Sequence, residues 1–252
     1  MAPATPRFAT PPFTTTSLAT ALLLGGATLV PNPALAAESA TVVEILDGNQ
    51  LYINQKQARV QARAAAPEVV STRDSRGQLA FNSGAAGRLN RFSLLRLGSR
   101  CFLMEKGQIL VSGKQNGCTR SARLSVRGTN YVVDVQEDGT SEISVLEGSV
   151  EVEPLRDGEP TGAPATTVEA GNKLRLSPVG VVLALLRLSS ADYTSILSGP
   201  LFSGFTTQLP GFSSLESYIR SSVPGVTLPS LPVTPTLPSG PALPSIPRFG
   251  LF

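Results

Sequence analysis

Histidine and tryptophan are absent from this 252-residue chain. Without His there is no Ser-His or Cys-His nucleophile pair and no imidazole ligand for a metal. Cysteine occurs twice, at Cys101 and Cys118, too few for a thiolate zinc cage. Charged residues make up 15% of the chain, against roughly 25% in an ordinary soluble domain. The motifs of several enzyme classes are also missing. Gly84-Ala-Ala-Gly87 has no Lys-Ser or Lys-Thr after it, so it is not a phosphate-binding loop. Ser112-Gly113-Lys114 has the wrong spacing for a Ser-x-x-Lys acyltransferase. Asp134, Glu137 and Asp138 cluster around one turn, with nothing to mark a second carboxylate across a cleft. No run resembles an EF-hand. These absences predict a non-catalytic protein with no cofactor, no metal and no evident small-molecule substrate.

Long apolar runs are missing too. The segment 18–30 is apolar but has only 13 residues, short for a bilayer of about 30 Å. Arg7 precedes it, Pro31-Asn-Pro33 breaks it, and the small-x-small site Ala34-Leu35-Ala36 follows. That order predicts a signal peptide over 1–36, cleaved after Ala36, with an uncleaved anchor as the alternative. The protein is therefore expected to be exported to the periplasm or cell envelope, or secreted. In such an oxidising compartment Cys101 and Cys118 are expected to form a structural disulfide. A redox role lacks the Cys-x-x-Cys spacing; buried free thiols are the other possibility.

Residues 41–177 read as strands. Two-residue turn signals recur at Asp47-Gly48, Lys106-Gly107, Asn116-Gly117, Asp138-Gly139 and Glu147-Gly148. From Gly107 onward the glycines Gly107, Gly117, Gly128, Gly139 and Gly148 lie about 10 residues apart, the spacing of an all-β body. Tyr131, Val133 and Val135 alternate with polar neighbours, as do Val150 and Val152, and Leu174 and Leu176. Such alternation places one strand face on a core and the other in water. Asp138-Gly139 is a strong hairpin signal. Ser189 with Asp192, and Ser213 with Glu216, have capping-box spacing and predict short helices near 190–198 and 214–221. The apolar run 179–188 contains Arg187 and is too short to span a membrane. It is read as a last strand or a packing segment.

From residue 200 onward there are 10 prolines and three charged residues, Glu216, Arg220 and Arg248. Pro229, Pro232, Pro235, Pro238, Pro241, Pro244 and Pro247 are strictly three apart, the period of a polyproline II helix. This tail is a semi-rigid spacer or a docking ridge for an aromatic-lined groove. Charge is uneven along the β region. Residues 50–127 carry 14 Lys or Arg against Glu68, Asp74 and Glu105, whereas 128–177 carry 10 Asp or Glu against Arg156, Lys173 and Arg175. Export argues against nucleic acid as the partner of the basic half. The choice is between solvated strand faces that meet within one domain and a basic face, built from Arg88, Arg91, Arg96 and Arg100, for an anionic envelope component.

Residues 124–153 carry a family likeness. Arg127-Gly128-Thr129 precedes the aromatic Tyr131 and its alternating valines, Asp138-Gly139 makes the turn, and Glu147-Gly148-Ser-Val150 follows. This stretch resembles the FecR domain. Ala170-Gly171-Asn-Lys-Leu174 resembles its closing strand, and Glu105-Lys-Gly107-Gln-Ile-Leu-Val111 its upstream repeat. The resemblance implies an all-β extracytoplasmic domain, β-solenoid-like or a sandwich. Proteins of that family sense an outer-membrane receptor and signal through a membrane helix to a cytoplasmic segment that holds a sigma factor. Here the roughly 40 residues before the β region read as a signal peptide instead. The expected organisation is a signal peptide (1–36), a FecR-like β domain (37–178), a short apolar and helical extension (179–222) and a Pro-rich tail (223–252). The expected function is an exported, non-catalytic module that binds a protein or envelope component, such as an outer-membrane receptor, a membrane regulator or a wall polymer. The alternative is a periplasmic regulator of the iron-uptake type acting through a separate membrane partner.

Overall fold

The computed structural model describes residues 38–229. The signal segment 1–36, and the tail from residue 230 with all of the period-three prolines but Pro229, lie outside the described residues. Among the described residues, eighteen strands and two helices follow one another. The first six strands are β1 (Ser39–Leu46), β2 (Leu51–Ile53), β3 (Lys56–Gln57), β4 (Arg63–Ala65), β5 (Val69–Thr72) and β6 (Arg76–Phe81). Next come β7 (Ala86–Leu89), β8 (Leu94–Arg96), β9 (Phe102–Gly113), β10 (Gly117–Cys118), β11 (Ala122–Val126) and β12 (Thr129–Val135). The last are β13 (Ser141–Glu147), β14 (Ser149–Arg156), β15 (Glu159–Pro160), β16 (Thr166–Glu169), β17 (Asn172–Leu176) and β18 (Val182–Arg187). Helices α1 (Ser190–Ser198) and α2 (Phe212–Ser222) close the described chain.

The fold is mostly β, and its strands form two layers that share β9. One layer runs β4-β1-β6-β7-β9-β12-β13-β17-β18, antiparallel throughout. The other runs β3-β2-β5-β8-β9-β10-β11-β14-β16, antiparallel except where β10 lies parallel to β9. The first half of β9 pairs with β8 and the second half with β7 and β12. The bend between the halves falls at Gly107, whose φ is +84°. A Cβ there would come within 2.6 Å of Ser93 Oγ and 2.8 Å of Ser93 Cα, so only glycine fits. Lys106-Gly107 thus bends one long strand rather than joining two. Across the bend the inward residues change parity, from Phe102 and Met104 to Ile109 and Val111, and both sets enter one core.

That core fills the space between the layers, with Leu51, Val70, Leu95, Leu124, Val150 and Val168 from one side and Leu79, Tyr131, Val133, Ile143, Val145 and Leu174 from the other. It is a sandwich core, built from the strand alternation visible in the sequence. A second core lies on the outer face of the β9–β12–β13 layer. Leu110, Val132 and Leu146 pack there under Tyr193, Leu197, Leu201, Phe202, Phe212, Leu215 and Ile219. The segment 188–228 therefore lies across this face as a third layer. The segment 179–222 is woven into the domain: β18 extends the sheet and the helices cover it.

The capping box at Ser189 forms as its spacing implies. Ser189 Oγ accepts from the Asp192 amide at 3.1 Å, and Asp192 Oδ2 accepts from the Ser189 amide at 2.8 Å. The spacing Ser213–Glu216 misled. The second helix begins two residues earlier, at Phe212, with Gly211 as its uncapped N-cap, and Glu216 pairs with Arg220 instead. Tertiary contact selects Gly211: its amide donates to Ser112 Oγ at 2.9 Å, and a Cβ there would stand 2.8 Å from Asn130 Nδ2.

Candidate functional site

The structure brings two halves of the motif together. Gly128 and Gly148 both have left-handed backbones, and Gly148 packs so closely on Thr129 that a Cβ would meet Thr129 Oγ1 at 2.9 Å. Thr129 Oγ1 donates to the Ser149 carbonyl at 2.9 Å. Asn130 Nδ2 donates to Glu147 Oε2 at 2.8 Å and to the Gly211 carbonyl at 3.0 Å. This end of the β12–β13 pair thereby anchors the start of α2. Tyr131 is fully buried, and its hydroxyl donates to the Gln115 carbonyl at 2.7 Å. Asp138-Gly139 sits at the opposite end of the same strands, where Asp138 Oδ1 accepts from the Thr140 amide. Arg127 is exposed beside the first turn. The motif residues thus shape turns and hold layers together.

The four arginines read as one basic face do not form one. Arg88 is 1% exposed. Its Nε donates to Gln78 Oε1 at 2.9 Å, and its other nitrogens donate to the carbonyls of Leu201 at 3.2 Å and Thr207 at 2.8 Å. Its guanidinium lies 4.3 Å from the centre of the Phe205 ring. Burial pushes it down to about 10, which leaves it charged at neutral pH. Arg88 points outward from β7, as a sheet residue should, but the 188–228 segment covers that face. Arg91 is held by Asp47 at 2.7 Å and Arg96 by Glu105 at 2.9 Å. Arg100 alone lies on the rim of a recess.

Arg88 belongs to a latch that sequence reasoning missed. Arg76 donates to the carbonyls of Pro200 and Ser203 while paired with Asp47. Glu44 accepts from the amides of Thr206 at 2.9 Å and Thr207 at 3.1 Å. Partial burial opposes ionisation of Glu44, but these bonds outweigh it and hold the carboxyl below its ordinary range. The loop between the helices has no strand partner, so side chains from β1, β6 and β7 satisfy its backbone. No sequence period marks such long-range pairs.

The recess beside Arg100 has a volume of about 530 Å³ and is lined by Glu38, Asn82, Ser83, Ser99, Lys114 and Gln115 as well. The disulfide between Cys101 and Cys118, with Cα atoms 5.8 Å apart, ties together two of the segments that line it, 99–100 and 114–116. Glu38 is 8% exposed. Its Oε1 accepts from Gln115 Nε2 at 2.7 Å, and Oε2 has no hydrogen-bond partner. Burial pushes this carboxyl up to about 7, with the Gln115 bond acting against it. Ser83 Oγ donates to Gln115 Oε1 at 2.7 Å, which completes a buried polar chain. The site offers one carboxyl of near-neutral affinity for protons and two cations at its mouth, Arg100 and Lys114. It was invisible in the sequence because Glu38 stands 44 or more residues from the rest of its lining; only the cysteine pair hinted that 99–101 and 114–118 meet. Among the described residues, no group of three or more His, Cys, Asp or Glu is placed to hold a metal ion.

The family model described as FecR protein matches residues 67–151. Two crystal structures of a candidate anti-sigma factor from Parabacteroides distasonis ATCC 8503 are similar to the chain, at 20% and 17% identity with TM-scores of 0.42 and 0.41. Each alignment covers 60% of this chain and 73% of the other. No curated protein matches.

Proposed function

We propose, from the premise that this chain carries a FecR domain over residues 67–151, that it is a FecR-type regulatory protein which works by binding another protein and not by catalysis. The family match is the observation that carries this reading. A leader of signal-peptide form before Glu38 supports export, and the compartment that belongs to this reading is the periplasm or cell envelope. The partner we propose is an outer-membrane receptor or a membrane-bound regulator, so that a sensing module and its membrane relay are separate chains. The recess at Glu38 is the proposed contact. It combines a buried carboxyl with the cations Arg100 and Lys114, and this mixed polarity suits a polar peptide segment better than a wall polymer of one charge.

Mild crosslinking of the tagged protein in cell envelopes, followed by mass spectrometry, tests the reading. A receptor or regulator should be recovered, and recovery should fall about tenfold for the pair Arg100→Glu and Lys114→Glu. Recovery of wall material alone, or of a protein partner unaffected by the charge reversal, would overturn the function or the site respectively.

A further inference from the structure

The recess at Glu38 is lined by cations and donors that no described residue satisfies. Arg100 and Lys114 are exposed at its rim, and among the described residues neither has an ion-pair or hydrogen-bond partner. Other cations of the same basic half, Arg91, Arg96 and Arg123, each hold a carboxylate. Asn116 Oδ1 accepts from the Val126 amide at 3.0 Å. That bond fixes the side-chain amide and leaves Nδ2 as a free donor on the recess wall. Ser99 adds a hydroxyl. The acceptors are turned inward. Gln115 is buried; its Nε2 donates to Glu38 Oε1 at 2.7 Å and to the Asn116 carbonyl at 3.2 Å, and its Oε1 accepts from Ser83 Oγ at 2.7 Å. Glu38 Oε2 has no partner and is closed to solvent. The recess thus presents positive charge and N–H and O–H groups, and keeps its one carboxyl behind the wall.

Resting on the protein-binding role proposed for this recess, we infer that it holds a carboxylate of the partner segment and that Glu38 gates it, keeping the anion while Glu38 carries its proton and releasing it when Glu38 ionises. Carboxylates are the anions that an unmodified peptide carries near neutral pH. A cation fits poorly, because it would meet Arg100 and Lys114 first and could not touch Oε2. Burial pushes the Glu38 carboxyl up to about 7, so a negative charge appears behind the wall just above neutral pH. In surroundings less polar than water, that charge repels a nearby anion strongly enough to change its affinity severalfold. The elements packed around Glu38 bring no second switch. Arg63 of β4 donates to Ser39 Oγ at 2.9 Å. Glu68, in the turn after β4, accepts from the Ala65 amide and from Asn54, both at 2.8 Å. Tyr131 of β12 is fully buried, and burial pushes its ionisation far up, with the Glu38 charge adding to the effect. Histidine is absent from the chain, which removes the side chain that ordinarily titrates between pH 6 and 8.

Chemical-shift titration of the isotope-labelled protein with two blocked peptides tests this. Acetyl-Gly-Glu-Gly-amide carries only a side-chain carboxylate, and acetyl-Gly-Ala-Gly only a terminal one. At least one should bind saturably, with a dissociation constant on the order of 1 mM, and shift the amides of Arg100 and Lys114; which of them binds names the source of the carboxylate. Binding should be about fivefold tighter at pH 6 than at pH 8. Glu38→Gln should flatten that pH dependence, and Arg100→Glu should weaken binding at least about tenfold. Arg156→Glu, at the far end of β14 from the recess, should change nothing. Saturable binding by neither peptide, equal or tighter binding at pH 8, a pH dependence that survives Glu38→Gln, or preference for acetyl-Gly-Lys-Gly-amide would each overturn the inference. A partner recovered by crosslinking despite such a failure would retain the protein-binding role and refute only the gated carboxylate.

Discussion

Arg88 and Glu38 are two buried ionisable side chains with opposite consequences. Arg88 is surrounded by acceptors and an aromatic face, and its removal leaves the Leu201 and Thr207 carbonyls buried without donors. Arg88→Ala should cost about 3 kcal/mol in urea unfolding. Arg88→Lys should recover only a minor part, because an ammonium cannot serve three acceptors in the plane of a fork. Glu38 has one satisfied oxygen and one orphan, and burial disfavours its charge. The folded protein therefore binds a proton more tightly at this site than the unfolded chain does. Its stability contribution is full below the ordinary value of 4.5 and is lost as pH rises through about 7. Glu38→Gln should match the wild type at pH 4 and exceed it by on the order of 3 kcal/mol at pH 8. A melting profile with equal differences at both pH values would show that the carboxyl is not protonated in the fold.

Strands and helices depend on long-range partners to differing degrees. The Asp138-Gly139 hairpin and the Ser189 cap are local, so their residues alone announce them. Lys106-Gly107 and Ser213–Glu216 have the same local form, but Ser93 and Asn130 decide what they become. The disulfide closes a separation of 17 residues, and Cys101→Ser should lower stability by about 3 kcal/mol, seen as a lower melting temperature. The third layer makes a sharper demand. Val223, Val226 and Leu228 still pack on the second core, so a chain ending at residue 229 should melt like the full one. Ending the chain at residue 187 uncovers Leu110, Val132, Leu146 and the charge of Arg88, and should abolish cooperative unfolding.

At the scale of the molecule, the basic and acidic halves of the sequence meet within one domain. Lys106 pairs with Glu137, and Arg123 with Glu153. These pairs are partly or largely exposed and contribute little each, so apolar burial carries the stability. Both cores share the β9–β12–β13 layer: Val133 and Val145 face the inner one, Val132 and Leu146 the outer. Unfolding followed by strand circular dichroism and by Tyr193, a tyrosine of the outer core, should therefore coincide; separated midpoints would mean the third layer melts alone.

Alternation of period two and the glycine-marked turns determined that this chain is mostly β, because those signals arise between neighbours along the chain. The motif of 124–153 likewise pointed to the FecR model that matches residues 67–151, since the turn residues and the strand between them are contiguous. Whether an outward-facing residue meets water was decided only in three dimensions. Arg88 alternates like a surface residue and lies buried because residues more than a hundred positions later cross over it. The run 179–187 looks like a core strand and lies largely exposed because nothing within the described chain reaches its outer edge. The Glu38 recess is likewise a product of tertiary structure, assembled from chain segments that only the sandwich and its disulfide bring side by side.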